Sequence, residues 1–161
     1  MPLIEEQLPS FALTALSPLD GRYATQTEAL RPIMSEFGLI KYRVLVEIEW
    51  LKALAANREF HYLKAFDPSI LLKLDNLYQK FTPEDAESIK VIEKNTNHDV
   101  KAVEYFLKQK FSAEETLKDS TSFIHFSCTS EDINNLAYSM MLRDARDPVS
   151  YTHLRAHETD S

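Results

Sequence analysis

From residue 32 onward, apolar positions recur with helical spacing. Between Pro32 and about Asn57, Ile33, Phe37, Ile40, Val44, Ile48, Leu51 and Leu54 fall three and four residues apart, with Lys41, Glu47, Glu49 and Lys52 around them. That pattern predicts one long helix with a single buried stripe. Pro32 stands where a first-turn proline is tolerated, and Gly38 is where the early part is expected to bend or break. Asp67-Pro68 opens a second helix carrying Ile70, Leu71, Leu74, Leu77 and Tyr78. Thr82-Pro83-Glu84-Asp85 opens a third: a hydroxyl cap, a proline at the first helical position, then carboxylates near the positive end of the dipole. Its apolar residues are Ala86, Ile89 and Ile92.

A polar turn from Glu93 to Asp99 follows, with Asn97 as the expected cap of a helix bearing Val100, Val103, Phe106 and Leu107. The polar stretch Ser112 to Ser122 leads into Phe123-Ile124-His125-Phe126. Thr129-Ser130-Glu131-Asp132 then opens a helix carrying Ile133, Leu136, Ala137 and Met140. Residues 1–29 sustain no period. They hold the turn Ser17-Pro18-Leu19-Asp20-Gly21, where proline fixes one backbone angle and glycine is expected to take a strained one. No segment alternates as a strand would, so the fold class is all-α.

Composition removes several functions. The formal charge of −7 argues against a nucleic-acid partner, which calls for surplus Lys and Arg. Two glycines in the whole chain, Gly21 and Gly38, exclude the Gly-rich phosphate cradles of dinucleotide and P-loop proteins. The lone cysteine, Cys128, fits a reducing compartment and reads as a small packed thiol. No apolar run approaches the ~20 residues that span a bilayer, and the acidic start Met1-Pro2-Leu3-Ile4-Glu5-Glu6 lacks the order of a signal peptide. A cytoplasmic protein is expected. No cysteine pair suggests zinc; His153 and His157 stand four apart beside Glu158, but no metalloprotease signature continues from them.

Polar groups concentrate at three corners, each open to two readings. Arg22 and Tyr23, after the Asp20-Gly21 turn, can present a guanidinium fork and a hydroxyl to an anion, or simply cover a surface turn. Asn97, His98 and Asp99 at a helix start can cap and orient it, or add an imidazole to an anion site made by unpaired backbone N–H groups. Thr129 and Ser130 can bind a carboxylate together, or serve as an ordinary cap before acidic first-turn residues.

Three strings in register carry more than composition. Ser17 to Tyr23 (SPLDGRY), Thr96 to Leu107 (TNHDVKAVEYFL) and Phe123 to Asn135 (FIHFSCTSEDINN) together resemble the adenylosuccinate lyase family, in its bacterial purine-biosynthesis form. The last string holds the Thr-Ser-x-Asp-x-Asn pattern of the wider fumarase/aspartase superfamily, and the likeness runs from about residue 11 to 149. It implies a carbon–nitrogen lyase that splits adenylosuccinate into AMP and fumarate by β-elimination. The same family also cleaves succinyl-aminoimidazole-carboxamide ribotide, without metal or organic cofactor, as a homotetramer. Carried over by position, Arg22 and Tyr23 contact substrate at its phosphate end. Asn97, His98 and Asp99 line the pocket, with His98 an auxiliary donor, and Thr129 and Ser130 hold the succinyl portion.

The family's Thr-His-Gly segment, which supplies the catalytic acid, and its Ser-Ser loop before Met-Pro-x-Lys, which supplies the base, have no counterpart here. The expectation is therefore an N-terminal fragment: a helical domain over 1–111, the truncated start of a central-bundle helix over 112–149, and a non-native tail over 150–161. Such a fragment is expected to be inactive alone and to expose apolar surface at Ile133, Leu136 and Met140. The rival readings are another superfamily lyase, argininosuccinate lyase being nearest, and a non-enzymatic helical interaction module.

Overall fold

A computed structural model describes the backbone of residues 10–158 and the side chains of residues 12–150. Met1 to Glu6 and the side chains of His153, His157 and Glu158 lie outside the described residues. Among the described residues every regular element is helical. The α-helices are α1 (Arg31–Met34), α2 (Glu36–Ala56), α3 (Pro68–Gln79), α4 (Pro83–Thr96), α5 (Asp99–Ser112) and α6 (Ser130–Glu158). Short 3-10 turns occupy Ser10–Leu13, Glu28–Leu30 and Lys118–Phe123.

The chain breaks where its cap chemistry dictates. The single helix expected from Pro32 is two, because Ser35 turns extended and its hydroxyl accepts the Gly38 N–H at 3.2 Å, starting α2 afresh. Gly38 neither bends nor ends α2. It sits in the first turn, where a Cβ would collide with the backbone carbonyl of Ile33 at the end of α1. Gly21 is likewise needed for closeness: a Cβ there would lie 2.7 Å from the Ala12 carbonyl oxygen. No glycine has positive φ, so the strained angle expected at Gly21 is absent. Asp67 caps α3 through the Ser69 and Ile70 N–H groups, and Thr82 with Asp85 forms a reciprocal capping box on α4.

Helix α2 is buried on two sides, not on one stripe. On one side Ile40, Val44, Ile48, Leu51 and Leu54 meet Leu74 of α3, Ile89 of α4, and Val103, Phe106, Leu107 and Phe111 of α5. Each such side chain, fully buried, contributes about 1.5–3 kcal/mol. On the other side Tyr42 and Val46 pack with Val100 of α5 and with Ile133, Ala137 and Met141 of α6. Two charged residues are drawn in with them: Glu47, expected on the polar face, is 1% exposed, and Arg43 is 4% exposed. Each has a long-range partner that makes burial tolerable.

Helix α6 lies along α2 through the four-residue repeat Ile133, Ala137, Met141. Ile133, expected on exposed surface, is therefore buried, and Met140 is partly buried. Leu136 does face solvent, joined by Tyr138, Leu142 and Val149. The backbone stays helical through Pro148 to Glu158, so no helix end marks position 149. No helix among the described residues is long and apolar enough to cross a membrane.

Candidate functional site

The corner between α4 and α5 is built by a division of labour between neighbours. Reversing the chain requires a left-handed residue, and Asn97 supplies it at φ 50°, its N–H closing α4 onto the Glu93 carbonyl. Asn97 is thus the C-terminal cap of α4, and the cap expected of it on α5 falls to His98. Extended at φ −150°, His98 accepts the Lys101 N–H on Nδ1 at 3.1 Å. A ring that accepts on Nδ1 carries its neutral-state proton on Nε2. That nitrogen faces Ser130 Oγ at 3.4 Å.

Ser130 is the first residue of α6, brought to His98 by a shaped loop. His125 and Ser127 are both left-handed, at φ 62° and 57°, a conformation that costs non-glycine residues about 1–3 kcal/mol each. Anchors on α2 hold the loop there. The Trp50 indole donates to the Phe126 carbonyl at 2.9 Å, and His125 Nδ1 lies 2.5 Å from Glu47 Oε1. Thr129 directs both its N–H and its hydroxyl to Asp132 Oδ2, at 2.7 and 3.0 Å. The Thr129 backbone N–H bond and then its hydroxyl bond hold the Asp132 carboxyl below the ordinary carboxylate range.

Between these corners opens a cleft of about 620 Å³, lined by Thr96, His98, Lys101, Tyr105, His125, Thr129 and Ser130. Three of its walls are imidazole or ammonium, and the rest carry hydroxyls. Glu47 is engaged with His125, Asp132 with Thr129, Glu131 with Asn134, and Glu104 with Lys101 and Lys108 at 2.7 and 2.6 Å, so the Lys101 ammonium is paired as well. Such a surface suits an anion with several acceptor oxygens, met by His98 Nε2–H, Ser130 and the start of α6. Cys128 is not among the lining residues. Burial first, then the charges of Glu47 and Asp132, push its thiol up to about 11.

Of the expected site residues, His98, Thr129 and Ser130 meet in this cleft. Arg22, Tyr23, Asn97 and Asp99 are not among its lining residues. Arg22 stacks its guanidinium 4.8 Å from the centroid of the Tyr23 ring, and the turn beneath them is closed by the Gly21 and Tyr23 N–H groups on Ser17 and Pro18. Asp99 turns inward, accepting Val100 N–H at 2.8 Å on one oxygen and Arg43 Nη2 at 2.6 Å on the other. Thr96, Lys101, Tyr105 and His125 line the cleft without a role expected from the sequence. Lys101 and Tyr105 stand three and seven residues after His98, one and two helical turns on, so that face was readable. The Glu47–His125 pairing, 78 residues apart, was not. Among the described residues no group of three His, Cys, Asp or Glu side chains could hold a metal ion.

The chain is 54% identical to the adenylosuccinate lyase of Vibrio cholerae over 144 residues, covering 89% of this chain and 32% of that protein. It is 52% identical over 138 residues to that of Buchnera aphidicola from Schizaphis graminum (86% and 30%) and 51% identical over 144 residues to that of Escherichia coli K12 (89% and 32%). The chain thus spans about 30% of the length of these curated relatives. The model of the lyase family matches residues 21–155, taking in Arg22, the cleft and α6 past Val149. On that match, the chain belongs to the lyase family.

Proposed function

We propose that this chain is the N-terminal part of an adenylosuccinate lyase, and that its cleft receives the succinyl end of the substrate. The observation that carries this reading is identity of about half the residues to bacterial adenylosuccinate lyases over nearly the whole chain. The reaction breaks a carbon–nitrogen bond: a base takes a proton from the carbon beside one carboxylate, and an acid protonates the departing nitrogen, leaving AMP and fumarate. Negative charge grows on that carboxylate, where fixed donors such as Ser130 and His98 Nε2–H stabilise it most. Arg22 and Tyr23 take the phosphate end; Asn97 and Asp99, which do not line the cleft, support it from behind, Asn97 by ending α4 and Asp99 by holding Arg43. The same site accepts succinyl-aminoimidazole-carboxamide ribotide, which places the enzyme in cytoplasmic purine biosynthesis. The acid and base come from segments outside residues 1–161. In a homotetramer they and Arg22 can reach one cleft from different copies. Leu136, Leu142 and Val149, exposed on α6, offer apolar surface for that assembly.

A chimera tests this. Residues 1–149 replace the matching stretch of the Escherichia coli adenylosuccinate lyase, and fumarate release is followed. The expected result is turnover of both succinylated substrates within about tenfold of the parent, a barrier change of roughly 1.4 kcal/mol, and none of argininosuccinate. A folded tetrameric chimera without adenylosuccinate turnover overturns the reading. Ser130→Ala in the active chimera is expected to lower kcat/KM by roughly 10²-fold, the effect of deleting one donor from a developing oxyanion.

A further inference from the structure

Among the described residues, Glu47 and Glu104 each bury a carboxylate oxygen without a hydrogen-bond partner, and that of Glu104 is ion-paired to Lys101. The Glu47 side chain is wholly buried, one oxygen contacts His125 Nδ1, and the other, Oε2, has no hydrogen-bond partner. A carboxylate so placed is costly unless it holds something in position. Burial pushes the Glu47 carboxyl up, against the bond and charge of His125, which pull it down. The ring it touches is 17% exposed and lines the cleft.

We propose that Glu47 is a positioning residue that fixes the His125 ring with Nδ1–H turned inward and Nε2 presented to the cleft as a bare acceptor. The inference follows from atom roles. In this proposal Glu47 is ionised; a carboxylate only accepts, so the His125 nitrogen at 2.5 Å from it carries the proton and the neutral ring keeps its lone pair on Nε2. His98 is held the opposite way, because its Nδ1 accepts a backbone N–H. The two imidazoles therefore meet the ligand with opposite polarity, His98 donating and His125 accepting. A ligand that satisfies both places an anionic oxygen against His98 and Ser130, and an N–H or O–H group against His125. The strained backbone at His125 and the Trp50 anchor are what bring the ring over Glu47. The other charged groups whose fields reach the pair are Glu104 and Lys101 of α5 and Asp132 of α6. The first two are already paired with each other, and Asp132 is bonded to Thr129.

The inference uses the cleft but not the identity of its substrate, so it is tested on the ligand-free chain and stands or falls apart from the chimera. Ring nitrogens of the 15N-labelled protein are observed by NMR at about pH 8.5, roughly two units above the ordinary histidine value. In the unaltered chain His125 is expected to show a protonated Nδ1 and a bare Nε2, and His98 the reverse. Glu47→Gln, whose amide oxygen accepts the same bond, should leave both patterns unchanged. Glu47→Leu should remove the Nδ1 preference of His125 while His98 keeps its own, a selectivity that general loosening of the fold would not produce. A proton on Nε2 of His125 in the unaltered chain overturns the proposal whether or not either variant folds. So does a Glu47→Leu protein in which Nδ1 stays protonated.

Discussion

Gly38→Ala is expected to destabilise the fold by about 3 kcal/mol or more, the upper end of overpacking effects, because the added methyl meets backbone, which has no rotamer to give. The Ile33 carbonyl occupies the space where the Cβ would stand, and the Pro32 carbonyl oxygen lies 3.0 Å from it. Relief requires α1 to swing away from α2, which pulls Ile33 off the cluster it shares with Tyr42, Val46 and Ile133. For a chain of this size, 3 kcal/mol corresponds to roughly 6–12 °C in Tm, readable by circular dichroism. Ser35→Ala is the matched control: it removes only the cap bond and should cost about 1 kcal/mol. If Gly38→Ala melts within one degree of the parent, the α1–α2 corner is not a tight joint.

That corner also shows what kind of information sequence carries. Caps are local chemistry, and those of α3 and α4 were legible residue by residue, since Asp67 and Thr82-Pro83 admit few alternatives. Ser35 is an equally good cap, but it was hidden inside an apolar rhythm that crosses the break without losing phase. At Asn97-His98 two cap-competent residues stand side by side, and only the need for a left-handed residue assigns them. The shared cleft of His98, Thr129 and Ser130 was legible through the family's strings, not through spacing. Glu47 reads as polar surface although it falls three after Val44 and just before Ile48, on the buried rhythm. A charge at such a position implies a distant partner without saying which. Sequence separation carries no trace of the loop that delivers His125, because its left-handed residues are neither glycine nor asparagine.

Asp99 is where site and scaffold compete for one side chain, and mutation separates them. Arg43 is buried, its side chain 5% exposed, and its guanidinium spans three helices: Nη2 to Asp99 of α5 and Nε to Asn134 of α6 at 2.9 Å. Asp99 is 46% exposed, so the two partners are not equivalent. Asp99→Ala strands a buried cation and is expected to cost about 2–3 kcal/mol, below the ~3–5 of a fully buried pair because solvent can reach the gap. Arg43→Met leaves a half-exposed carboxylate still bonded to Val100 N–H and fills the space with apolar atoms, so its cost should be nearer 1 kcal/mol. The order of the two, not either value, carries the argument, and urea unfolding at pH 7 measures it. The pH dependence has a definite sign. Burial opposes the Asp99 charge, but the Val100 N–H and Arg43 outweigh it and hold the carboxyl below its ordinary value. Its contribution is therefore complete above the unfolded value of about 3.9 and is lost as pH falls through the lower folded one. Asp99→Asn should accordingly trail the parent at pH 7 and converge on it at strongly acidic pH. A gap that widens on acidification, or Arg43→Met costing more than Asp99→Ala, would show that the Asp99–Arg43 pair does not carry the stability assigned to it.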